Sequence, residues 1–98
     1  MKHRGYFQGK ANKSGDGWEM QANLRESDGV DSKIKGSLVL LPQSRRIRGS
    51  RLKFLGYYSS ASTGFTIWSP ISGIVTDSSC YIDEPGKISG SFEGLLND

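Results

Sequence analysis

The chain has 98 residues, enough for one domain and too few for two. It carries 13 Lys+Arg against 10 Asp+Glu, a net charge of +3, with one His and one Cys. A single Cys excludes a disulfide framework and a Cys-based zinc site, and the longest apolar run, Leu38 to Leu41, is far too short for a membrane-spanning helix. No apolar segment opens the chain, so no secretory signal is expected and the cytoplasm is the expected location.

Leu, Ile, Val and Phe together make 22 of the 98 residues, just above the level at which disorder is expected. The core is therefore thin, and the aromatic residues must carry much of it.

The apolar period is two almost throughout. Strands are predicted over 4–12, 17–26, 33–41, 46–58, 65–69, 71–76, 80–84 and 87–96. In the second, Trp18, Met20, Ala22 and Leu24 alternate with Glu19, Gln21, Asn23 and Arg25. That is the pattern of a strand with one buried and one wet face. In the third, Ile34, Leu38 and Leu40 share a face with Gly36; in the last, Ile88, Phe92 and Leu96 share one with Gly90 and Gly94. No window carries the apolar stripe of a helix.

Turn chemistry separates the runs. Lys13 to Gly17 is a hairpin signal, Ser27-Asp28-Gly29 another, and Ser59 to Gly64 reads as a longer mobile loop. Asp77-Ser78-Ser79 and Glu84-Pro85-Gly86 are further turns. Pro70 is expected to put a bend or an edge between the fifth and sixth strands. A change of apolar parity after Ile47 predicts a bulge near Gly49-Ser50.

A basic residue, Ile, any residue, then Gly-Ser recurs at Lys33, Arg46 and Lys87. Glycine within a strand allows sharp coiling where a sheet closes. The expected fold is thus all-β: a single-domain antiparallel meander of six to eight strands over 1–98, curled into a small barrel or half-barrel. In general shape this resembles the small up-and-down barrels of the biotin-binding and fatty-acid-binding types; the resemblance implies architecture alone.

Catalytic chemistry finds little support. A Ser or Cys nucleophile needs an adjacent base, and His3 lies near a terminus expected to fray. Cys80 reads as a half-buried small hydrophobe beside Asp77, Asp83 and Glu84, a poor setting for a thiolate. Glu26, Asp28, Asp31, Asp83 and Glu84 sit in or beside turns and are expected to be solvated, and Glu19 lies on a polar strand face. Asn12, Ser14 and Asp16 begin a calcium-loop spacing but lack its final Glu and its flanking helices. No catalytic residue, metal site or cofactor is expected, and an enzyme is the least supported reading.

Charge is segregated: residues 32–76 hold seven basic groups and no acid, whereas 77–98 hold five acids and Lys87. Within the basic region lie Arg45, Arg46, Arg48, Arg51 and Lys53, followed by Tyr57 and Tyr58. Cations interleaved with aromatics on a curved sheet suit single-stranded nucleic acid, although Arg stems on a solvated strand face account for the same pattern more simply. Trp18, Phe54, Phe65 and Trp68 are candidate lining for a pocket in a small barrel, with a packed core the simpler account. The expectation is a non-enzymatic binding or interaction module with unassigned ligand or protein partner and no membrane association. A nucleic-acid-binding domain using the 45–58 surface is the alternative. The thin core and split charge also raise a homodimer formed by edge pairing.

If the alternation assigns faces correctly, Trp18→Ala removes a core side chain and costs about 3–5 kcal/mol. Equilibrium urea denaturation measures this; a loss below about 1 kcal/mol would mean that the faces are inverted, since one slip of register flips every side chain.

Overall fold

Period-2 sequences with short polar connections can satisfy their backbone only by pairing with their neighbours. The computed structural model, which describes residues 2–41, 51–76 and 86–97, shows six strands doing so. They are β1 (Lys2–Ser14), β2 (Gly17–Glu26), β3 (Asp31–Leu40), β4 (Leu52–Ser60), β5 (Ser69–Thr76) and β6 (Ile88–Leu96). Each is antiparallel to the next, and β6 pairs back onto β1, from Lys2↔Leu95 to Gly9↔Ile88, to close a barrel in simple meander order. The only helical piece among the described residues is one 3-10 turn, Ala61–Thr63.

One parity of each strand faces inward. Met20, Leu24, Ile34, Leu38, Leu52, Phe54, Ile71, Val75 and Phe92 are fully buried, and Trp18 and Ile88 nearly so. Leu40, near the end of β3, packs on this core while partly exposed. Phe54 and Phe92 meet edge to face, ring centres 5.4 Å apart, across the interior. Glu19, Gln21, Arg25, Lys33 and Lys35 face solvent as the alternation requires. An apolar inside with a polar outside is the reverse of a lipid-spanning barrel, and no helix among the described residues is long and apolar enough to cross a membrane.

Glycine at inward positions lets the strands approach. Gly36 of β3 lies opposite Gly56 of β4. A Cβ on Gly36 would sit 2.3 Å from the Leu55 carbonyl oxygen, and one on Gly56 would sit 2.1 Å from that of Lys35. At the β1–β2 hairpin, Gly15 supplies the positive φ that joins Ser14 to Gly17 through two residues.

Several sequence expectations are revised. The predicted strand 65–69 does not form: 64–68 is turn and irregular chain, and strand structure resumes at Ser69. Ser59 and Ser60, expected in a loop, belong to β4 because they complete its register against Lys33 and Ser32. Pro70 lies inside β5. Its carbonyl accepts the Asn97 amide at 2.8 Å, so its nitrogen, on the same side, faces the β6 flank just beyond the Ile71↔Leu96 pairing and breaks no ladder bond. Closure leaves no unpaired edge among the described strands. The bulge near Gly49-Ser50, the strand 80–84 and Cys80 lie outside the described residues.

Gly36→Ala is expected to destabilise the barrel by about 1–3 kcal/mol or more, because the added methyl meets backbone rather than a yielding side chain. Thermal and chemical denaturation measure this, with Ser37→Ala, on the exposed face, as a near-neutral control.

Candidate binding surface

The described residues offer two candidate sites, one inside the barrel and one on its wall. The inner one lies at the barrel end where β1 begins and β2 finishes. Glu26 shares the inward parity of Trp18, Met20, Ala22 and Leu24, and His3 that of Phe7 and Ala11. Neither is solvated as its place in the sequence suggested. The Tyr58 hydroxyl donates to Glu26 Oε2 at 2.5 Å. His3 Nδ1–H donates to Oε1 at 2.6 Å, since a carboxylate can only accept. The imidazole stacks on the Tyr58 ring, centres 4.2 Å apart. Burial first, and then the hydrogen bond to Glu26, push the Tyr58 phenol up to about 12; the Ser32 hydroxyl pulls the other way.

This cluster satisfies a buried carboxylate with two donors and ties β1, β2 and β4 together. Neither groove described below is lined by His3, Glu26 or Tyr58. The second ring nitrogen, His3 Nε2, is buried without a hydrogen-bond partner among the described residues. The signal that could have found this cluster was parity carried to the strand ends.

The outer candidate is built by register. On the outward face of β1–β4, Gln8, Asn23 and Lys33 form one row, which ends at the buried Ser59, and Lys10, Gln21, Lys35 and Tyr57 form the next. A third runs Ser91, Tyr6, Arg25 and Asp31. An open groove of about 1580 Å³ follows these rows from Lys87 and Ser89 of the β6 side to Lys33 and Phe65. A smaller depression of about 370 Å³ lies between Lys10, Glu19, Lys35 and Tyr57. The larger groove is lined by Lys10, Arg25, Lys33 and Lys87 against one carboxylate, Asp31. Asp31 is engaged by Arg25 at 3.3 Å. Tyr6 and Tyr57 stand 75% and 47% exposed beside this surface.

The residues singled out from sequence divide between the two faces. Arg51 and Lys53 are exposed, and Lys53 lies with Tyr57 on the outward parity of β4, with Leu55 between them. Tyr58 points inward, because consecutive strand residues face opposite ways, so the two tyrosines cannot form one stacking platform. Arg45, Arg46 and Arg48 lie outside the described residues. Of the four pocket candidates, Trp18 and Phe54 are core. Phe65 and Trp68 are outside, packed over Lys33 and Lys35 with ring centres 4.6 and 4.0 Å from the ammonium nitrogens. The four line no common cavity. Sequence reasoning missed Lys10, Lys33 and Lys35 as site residues because they lie on cross-strand rows that only strand pairing assembles.

No protein-family model, curated protein or solved structure matches the chain.

Below pH 10 the Tyr58 phenol is protonated in both folded and unfolded chains, so its contribution to stability is fully present. Between about pH 10 and 12 the unfolded chain loses this proton first, and the contribution is lost across that window. Tyr58→Phe is expected to abolish this alkaline loss while costing about 1–3 kcal/mol at neutral pH, through the donor withdrawn from Glu26. Denaturation midpoints of both proteins from pH 7 to 12 provide the comparison.

Proposed function

We propose that the protein is a non-enzymatic binding module whose binding surface is the outer face of β1–β3, and whose ligand is an extended polyanion. One observation carries the reading: the groove lining holds four cations against a single carboxylate that one of those cations already engages. The barrel interior is filled by side chains, so a ligand is taken on the wall rather than in a lumen. Neutral hydrogen-bonding side chains, Gln8, Gln21 and Asn23, lie between the lysines. Such groups can hold a hydrated polymer without the desolvation cost that a buried ion pair would bring.

The 45–58 surface enters this reading in part. Lys53 and Tyr57 lie on β4, next to β3, and extend the cationic wall beyond Lys35. A cytoplasmic setting, where nucleic acids are the abundant polyanions, fits the reading.

The test is the salt dependence of binding to a labelled anionic polymer. Three phosphate or sulfate contacts, at Lys10 and Lys33 of the groove and at Lys35 of the adjoining depression, give a slope of log affinity against log salt of about −2 to −3. Lys10→Ala should lower its magnitude by roughly one contact, whereas Lys2→Ala, whose lysine is held by Glu93 at 2.8 Å, should leave it unchanged. A slope near zero, or equal effects of both variants, would refute this surface.

A further inference from the structure

The segment between β4 and β5, residues 61–68, is short and internally fixed. The Thr63 hydroxyl donates to the Ser60 carbonyl at 2.9 Å and that of Thr66 to the Thr63 carbonyl at 2.6 Å. The Gly64 and Phe65 amides donate to Ala61 and Ser60 carbonyls at 2.9 and 3.1 Å. Two successive residues have left-handed backbone, Gly64 at φ 65 and Phe65 at φ 59. For glycine this is free of cost; for a phenylalanine it is not, because its Cβ crowds the following carbonyl. Among the described residues Phe65 is the one non-glycine with positive φ. A strained residue persists only where its surroundings over-determine it, and such residues cluster at ligand sites.

The strain places a ring. Turning back at Phe65 sets its ring over Lys33, and the chain then delivers Trp68 over Lys35. Lys33 and Lys35 are alternate residues on the outward face of β3, about 7 Å apart along the strand. Each ammonium is held by one ring face, which limits the freedom lost when an anion binds. Phe65 also lines the larger groove. Tyr57, opposite Lys35 in the β3–β4 register, lines the smaller depression with it.

We propose that this strap makes the surface a single-stranded nucleic-acid site. Lys33 and Lys35 take successive phosphates, while Phe65, Trp68 and Tyr57 offer ring faces to unstacked bases. The proposal rests on the polyanion reading above and narrows it. A ligand using both elements must alternate an anionic group with a flat apolar one at every repeat. Single strands do so, whereas a duplex keeps its base faces stacked away.

The experiment measures binding of a labelled twelve-residue oligothymidylate, a duplex of equal length and a sulfated polysaccharide, by fluorescence anisotropy at several salt concentrations. The proteins are the full chain, Phe65→Gly, Phe65→Asn and Trp68→Ala. Glycine and asparagine both accept left-handed backbone, so two independent variants release the strain and guard against failure of either to fold. Both Phe65 variants are expected to melt at a temperature equal to or above that of the parent. They and Trp68→Ala are expected to bind oligothymidylate about fivefold to 100-fold more weakly, the loss of one stacked base, with an unchanged salt slope. If oligothymidylate and polysaccharide bind alike and neither Phe65 variant affects either, the polyanion reading survives and the nucleic-acid proposal is overturned. If no polyanion binds, both are overturned. A lowered melting temperature with undiminished oligothymidylate affinity would make Phe65 a packing residue only, and would equally overturn the proposal.

Discussion

The bore of a six-stranded barrel is narrow. Eight strands enclose a space just wide enough for side chains to fill, so with six strands the inward positions cannot all carry bulk. Neighbouring strands must instead touch backbone to backbone at intervals. Gly36 against Gly56 and Gly73 against Gly94 provide such contacts between β3 and β4 and between β5 and β6. Between them Phe54, Phe92, Met20 and Leu24 have room to interdigitate. Other features follow from this constraint. Closure removes sheet edges, leaves the interior solid and turns every other side chain of every strand to the outside.

At one end polar groups share the inward positions with glycine, Glu26 opposite Gly5 and His3 opposite Gly94. His3, Glu26 and Tyr58 close the bore with a fully engaged carboxylate. A buried carboxylate is tolerable only when donors meet it, and these come from two other strands. The arrangement has the residue types of an acid–base site; both carboxylate oxygens are engaged within it, whereas His3 Nε2 is buried without a hydrogen-bond partner among the described residues. Across the β1–β6 seam, the Lys2–Glu93 ion pair lies outside. Lys2 holds the Glu93 carboxyl below the ordinary carboxylate range, although an exposed pair of this kind adds little stability.

The solid interior moves the question of function to the wall. There the β1–β3 wall carries Lys10, Lys33, Lys35, Gln8, Gln21 and Asn23 together with Glu19 and Asp31, and exposed apolar residues occur on several strands, Val39 on β3, Leu55 on β4 and Leu95 on β6. The strap after β4 is aimed at the cationic wall, and its rings meet the two β3 lysines. A rigid barrel with a pinned loop is a scaffold on which a binding surface is held in place before any ligand arrives.

Alternation alone determined the all-β class, the meander and the inward set from Trp18 to Leu24, because a side-chain period of two leaves no other way to bury those residues. It also contained, unread, the inward direction of Glu26 and His3: both continue the parity of their strands, and nearness to a turn or terminus was a weaker signal than parity. Local sequence could not assemble the lysine wall. Lys10 is distant in sequence from Lys33 and Lys35 and is brought to their side only through the registers Lys10↔Gln21 and Gln21↔Lys35. Nor could it send Phe65 and Trp68 outward, since alternation ends where the left-handed backbone at Gly64 and Phe65 begins. Register and chain reversal are set by closure of the whole barrel, a long-range condition that no window of sequence contains.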